Sequence, residues 1–278
     1  MQVFGKKSSE SIRNTVYYPF KRFIVMQQLS FTLLLACGLL TACGDTASNA
    51  TTADTGTDAP IEAMDGQQGD WIDLFDGETL AGWHTYGKQG QMGAAWMVED
   101  GTLHFNPDKG TGADNNGGDI ITDDSYSNYE LQLEWKIGEC GNSGIIYNVK
   151  ESEEFGYPWM TGPEMQILDN DCHPDAKITT HRAGDLYDMV SVEEENVRPA
   201  GEWNQAKLVV TDGRVEHWLN GKQQVTYENT GEGWQSMIAK SKFKDMPTWG
   251  MYTEGRISLQ DHGDPVWFRN IRLRKLSK

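Results

Sequence analysis

The chain has 278 residues and a formal net charge of −17. That length holds one large β-domain or two small ones. So acidic a chain is a poor partner for nucleic acid or anionic membrane surfaces, and both function classes are set aside.

The N-terminus reads as a targeting segment. Lys21 and Arg22 precede an apolar run from Phe31 to Leu40, and Leu40-Thr41-Ala42-Cys43 follows. A basic stretch, a short apolar stretch and small residues before a cleavage point make a secretory signal. The cysteine directly after Leu-Thr-Ala resembles a bacterial lipoprotein signal, with Cys43 lipidated and holding the exported protein to the cell envelope. A membrane-spanning helix needs ~18 or more apolar residues, and this run is shorter. Residues 1–43 carry five Lys or Arg and one Glu; taking their +4 from −17 leaves −21 for the rest. Residues 44–70 are rich in Ala, Thr, Asp and Gly and read as a flexible tether. The folded domain is expected over 71–276.

Strand patterns fill that domain. Residues 95–98 and 102–105 flank Glu99-Asp100-Gly101, a tight-turn signal. Residues 129–137 alternate strictly, with Tyr129, Leu131, Leu133, Trp135 and Ile137 on one face and Glu130, Gln132, Glu134 and Lys136 on the other. That is a half-buried strand. Around Glu164, the stretch WMTGPEMQILDND (159–171) places Glu164 and Gln166 on one face and Met165 and Ile167 on the other. Asp169 joins the Glu164 face only if a β-bulge resets the alternation. Such a strand either has one wet face in solvent or floors a substrate groove. Asp212-Gly213 and Asn220-Gly221 are two more hairpin turns. The one helix expected is short, over 233–241. Residues 256–260 and 265–274 close the series. About a dozen short strands without intervening helices predict an all-β, antiparallel sandwich.

Ten tryptophans and ten tyrosines serve both a core and sugar-stacking surfaces. Trp83, Trp159, Trp234 and Trp249 lie in Gly- or Pro-rich contexts, and two of the four are expected in a groove, Trp159 and Trp249 by choice. Asn142 and Ser143 sit between glycines, where a ligand approaches the backbone closely or a plain turn forms. Gln260, Asp261, His262 and Asp264 make a polar cluster between two strands, suited to sugar hydroxyls or a cation, or to an ordinary turn. Cys140 and Cys172, the two cysteines beyond the signal, either pair in an oxidising compartment or remain thiols.

Seven segments together resemble one family: WIDLFDGETLAGW (71–83), GNSGIIY (141–147), GPEMQILD (162–169), HRAGDLYD (181–188), GEWNQAKLVV (201–210), VEHWLNG (215–221) and GRISLQDHGDPVWFRNIRLR (255–274). In this order they are similar to the 3-keto-disaccharide hydrolases. The resemblance implies a concanavalin A-like jelly roll of two curved sheets and cleavage of glycosides oxidised at C3. One departure is Asn148, at a position often arginine in the family. Laminarinase-type relatives of that fold carry Glu-x-Asp-x-x-Glu. Here the spacing reads Glu164-x-Gln166-x-x-Asp169, which weakens the ordinary two-carboxylate mechanism, since that needs carboxyls ~5–5.5 Å apart.

A 3-keto sugar asks for something else. Its ketone acidifies the C2 hydrogen, so a base removes it, C1 expels its substituent and water adds back. That route needs a base, donors at the C3 oxygen and an acid for the leaving group. Glu164 is the expected base. His181 is the alternative base or a metal ligand, and Asp169 the second carboxylate. Gln166, Arg182 and Lys242 are the expected donors, with Asn142, Ser143, Gln260 and His262 as further substrate contacts. Glu164, His181 and Asp169 would together suit a divalent ion, and no other cofactor is indicated. The competing reading is a lectin-like lipoprotein that binds carbohydrate without cleaving it. A pocket bringing Glu164 and His181 together with shifted pKa values would favour the enzyme.

Overall fold

The computed structural model describes residues 68–277. The signal segment, Cys43 and nearly all of the tether lie outside the described residues. The strands are β1 (Gln68–Asp73), β2 (Trp83–Thr85), β3 (Trp96–Glu99), β4 (Thr102–Phe105), β5 (Ile120–Thr122), β6 (Tyr129–Ile137) and β7 (Asn142–Val149). Then come β8 (Glu164–Leu168), β9 (Asn204–Thr211), β10 (Arg214–Leu219), β11 (Lys222–Glu228), helix α1 (Gly231–Ile238), β12 (Arg256–Leu259) and β13 (Val266–Leu276). β1 starts three residues before Trp71 and pairs with β13.

Two antiparallel sheets form the expected jelly-roll sandwich. One runs β11-β10-β9-β6-β13-β4-β3, with β1 on β13; the other runs β2-β5-β12-β7-β8. The apolar face of β6 is buried from Tyr129 to Ile137, as its alternation requires. It packs with Ile145 and Tyr147 of β7, Met165 and Ile167 of β8 and Ile257 and Leu259 of β12 in one continuous core. The three hairpin turns use positive φ at both central residues: Asp100 and Gly101, Asp212 and Gly213, Asn220 and Gly221. The helix begins two residues earlier than expected and ends at Ile238, burying Trp234 and Ile238, one turn apart, on one stripe.

Because side chains alternate, the residues between those core positions point away from the sandwich. The register carries Gln166 of β8 opposite Gly144 of β7. Gln260 N donates to Gly144 O, and Gln260 and Asp119 flank the last pair of β12 and β5, Leu259↔Ile120, each one residue further on. One row therefore crosses four strands: Gln166, Gly144, Gln260, Asp119. Glu164 lies one row along, opposite Ile146. This outer face is the floor of the site.

Candidate functional site

Loops wall the floor into a cavity of about 300 Å³, at the small end of small-molecule sites. Its lining includes Glu164, Gln166, Asn142, Asp119, Gln260 and Asp261 from the sheet and its ends. Tyr86, Tyr157, Trp159, Tyr187, Lys242, Phe243 and His262 complete it.

Glu164 is nearly buried, at 7% exposure, and burial pushes its carboxyl up to about 8. Lys242 opposes that shift and Asp119 adds to it. The carboxylate leans over its neighbour strand: a Cβ on Gly144 would lie 2.1 Å from Glu164 Oε1. A glycine at 144 is thus what makes room for the acid. With its amide turned so that nitrogen faces the carboxylate, Gln166 donates to Glu164 Oε1 at 2.8 Å. Gln166 also contacts Asn142 Oδ1 at 3.2 Å.

Lys242 follows α1 and is held by its backbone, N to Asp188 Oδ2 at 2.7 Å. Its ammonium lies 3.9 Å over the Tyr187 ring. Burial holds its pKa below the ordinary lysine value, with Glu164 acting in the opposite sense. A partly desolvated cation and a buried carboxyl thus face one polar pocket, the arrangement that accompanies proton-transfer chemistry. At the mouth, Tyr157 and Trp159 stack with centroids 5.7 Å apart and planes 15° from parallel. Both rings are exposed, so they offer a flat apolar surface beside the polar floor.

Five expected site residues lie elsewhere. Asp169 is not on the Glu164 face: the β7–β8 register runs without a bulge. Its carboxylate accepts from Cys140 N at 2.8 Å and Asp171 N at 3.2 Å, capping the turn beside the Cys140–Cys172 disulfide, whose Cα atoms are 4.7 Å apart. His181 stands behind Tyr187, ring centroids 4.1 Å apart, with Asp188 at 3.3 Å from Nε2 and Asp175 at 3.4 Å from Nδ1. Arg182 turns to Glu195 and to Ala176 O. Ser143 Oγ donates to Gln260 O, tying β7 to the end of β12. Trp249 is 1% exposed, stacked between Phe243 and Trp234. Of the four tryptophans singled out, Trp83 and Trp234 are also buried, so one, Trp159, reaches the groove. Flanking Gly and Pro marked chain reversals there, not exposure.

The set Glu164, His181 and Asp169 is therefore not assembled for a metal. His173, His262 and Asp264 do converge within 4.8 Å. However, His173 Nδ1 accepts from Asp175 N at 3.2 Å, so the neutral ring carries its proton on Nε2. Neither nitrogen then has a free lone pair for a cation, and we assign none. Asn148, the departure from the family pattern, is buried away from the pocket with φ 54°, a conformation asparagine adopts more readily than arginine.

Sequence reading missed Asp119, Tyr86, Tyr157 and Phe243. A carboxylate after two glycines and before Ile-Ile was the one signal for Asp119.

The geometry agrees with what the chain is similar to. Residues 70–274 match the model of the 3-keto-alpha-glucoside-1,2-lyase-like domain. The chain belongs to that family. It is thereby an enzyme of the glycoside-cleaving kind. A 3-keto-disaccharide hydrolase of Bacteroides thetaiotaomicron is 38% identical over 229 residues, covering 74% of this chain and 78% of that protein. A crystal structure of a candidate glycosyl hydrolase from Parabacteroides distasonis superposes with a TM-score of 0.67 at 34% identity, over 74% of this chain and 94% of that one. A second from the same organism gives 0.54 at 26% identity, over 74% and 84%.

Proposed function

We propose that the protein cleaves glycosides already oxidised to a ketone at C3, by proton removal at C2, elimination at C1 and hydration. The carrying observation is the pairing in one pocket of Glu164, raised to about 8, with the partly desolvated Lys242. A carboxyl with so high a pKa is a strong base once ionised, as abstraction of a carbon-bound proton demands. Glu164 takes the C2 proton, and the C2–H electron pair becomes the enolate at C3. Lys242, with the amides of Gln166 and Asn142, supplies donors where the negative oxygen develops. A retaining displacement at C1, which needs carboxyls ~5–5.5 Å apart, is less well served, because Gln166 and the amide-bound Asp169 offer no second carboxylate next to Glu164. The shifted groups also favour an enzyme over a lectin-like module. The Tyr157–Trp159 surface fits the flat face of the sugar or of the group it carries.

The test is a side-by-side incubation of purified protein with a 3-keto-disaccharide and its unoxidised parent in heavy water. Cleavage confined to the keto substrate, with deuterium at C2 of the product, is expected. Equal cleavage of the parent, or product free of deuterium at C2, overturns the mechanism.

We further propose that the protein is exported and anchored through a lipid on Cys43, on the strength of Leu40-Thr41-Ala42-Cys43. Cys43→Ala should free the protein from the membrane fraction or block its processing; unchanged partition refutes the anchor.

A further inference from the structure

The elimination leaves one role unfilled, the acid that protonates the departing oxygen. We propose that Asp119 is that acid. The inference rests on the keto-glycoside reading above and assigns a further catalytic residue within the same pocket.

Asp119 lies immediately before β5, at the far end of the floor row from Gln166. It is 8% exposed and lines the cavity. Oδ1 accepts from Asp261 N at 2.9 Å. Among the described residues Oδ2 has no protein partner, and no cation pairs with the carboxyl. Its neighbour Asp261 is the opposite case. Asp261 Oδ2 accepts from Gly112 N and Gly118 N, each at 2.7 Å, and Oδ1 from Gly263 N at 2.9 Å. Three backbone amides thus hold both Asp261 oxygens in place. Burial raises Asp119 to about 7; the Asp261 amide acts in the opposite sense and the Asp261 carboxylate adds to the rise. The two adjacent carboxyls differ in their partners: Asp261 has both oxygens taken up by amides, while Asp119 keeps one oxygen without a protein partner and a pKa suited to a proton donor near neutral pH.

The spacing suits the division of labour. Glu164 leans over Gly144, and Asp119 lies two strands beyond Gly144, roughly 9–10 Å at the backbone. Both side chains line the one cavity, so a sugar ring bound across the floor between them would have the base on one side and the acid on the other. The remaining ionisable groups around the cavity are Lys242, His262, Tyr86, Tyr187 and Tyr157 at the mouth; burial pushes Tyr86 up to about 12 and raises Tyr187 as well, so neither of these two phenols competes as the donor.

The proton balance closes. As the enolate returns its electron pair to restore the C3 ketone, a C1=C2 double bond forms and the C1–O bond breaks. The Asp119 O–H proton goes to the departing oxygen. In hydration, Asp119 carboxylate accepts a proton from the water that adds at C1, and Glu164, its proton exchanged with solvent in the meantime, protonates C2. Both groups end in their starting states.

An acid matters in proportion to how badly the leaving group needs a proton, which separates this role from a structural one. The experiment compares wild type with Asp119→Asn on two 3-keto-glucosides, one with an alkyl or sugar leaving group and one with p-nitrophenol. The amide keeps the acceptor for Asp261 N and lacks the acidic proton. A loss of ~10²–10⁴-fold in kcat is expected on the alkyl or sugar substrate, with less than a tenfold loss on the nitrophenyl one. Equal losses on both, or no loss on either, overturn the assignment while leaving the keto-glycoside reading intact. If wild type cleaves neither, the reading itself fails. Wild type supplies an independent check should the variant misfold. Its rate on the poor leaving group should fall above pH ~7 relative to the nitrophenyl substrate, and a constant ratio across pH refutes the acid.

Discussion

Replacing Glu164 by glutamine should cost activity and add stability, and both follow from one burial. An unfolded glutamate ionises near 4.5 and the folded one near 8. Below 4.5 the carboxyl is protonated in both states, and nothing separates wild type from the amide. Between 4.5 and 8 the unfolded chain ionises and the folded one resists, so wild type loses stability as the pH rises. Above 8 both ionise and the deficit levels off. At 1.36 kcal/mol per unit, the deficit is about 1 kcal/mol at pH 5, 3 at pH 7 and 5 at pH 9. The substituted amide has no charge to desolvate, so Glu164→Gln should be the more stable protein by those margins. At pH 7 that is roughly 6–12 °C in Tm for a domain of this size. Calorimetry at the three pH values reads the stability, and turnover of a 3-keto-disaccharide reads the chemistry, where a loss of ~10²–10⁴-fold is expected. A stability difference that does not change with pH would refute the buried-acid argument. A near-normal rate would remove Glu164 as the base.

Gly144→Ala places a methyl 2.1 Å from Glu164 Oε1, so it should displace the carboxylate and cut kcat by ~10²-fold or more, by analogy with a 1 Å misplacement; wild-type kcat would show that the carboxylate does not need that space. Trp159→Ala should raise KM more than it lowers kcat, because the Tyr157–Trp159 surface contributes uniform binding; an effect on kcat alone argues against it. Cys140→Ser with Cys172→Ser opens a loop of sequence separation 32 and should lower stability by about 3–4 kcal/mol on the chain-entropy scale. Equal unfolding midpoints for oxidised wild type and the double variant would refute that.

Local pattern determined much of this protein. The alternation in 129–137, the Asp-Gly and Asn-Gly turns, and the split of Glu164 and Gln166 from Met165 and Ile167 are all set by a two-residue period and by positive-φ preferences that act over a few residues. That is why the sandwich and its wet strand were legible without coordinates. The family likeness extended the reading to a chemistry, and the donors that chemistry needs brought in Lys242, which no local rule singles out. Tertiary structure alone decided which polar residues share the pocket. Asp119, Gln260, Gly144 and Gln166 come together through the registers of four strands, three of them not consecutive in the chain. Asp169, Ser143, Arg182 and His181 each found a nearer partner: backbone amides, a carbonyl, Glu195, and the carboxylates of Asp175 and Asp188. Trp249 was claimed by Phe243 and Trp234. Residue type states what a side chain is able to do. Whether it faces water, a core or a substrate is settled by strand pairing at long separation, and so are the pKa values that burial and neighbouring charge create.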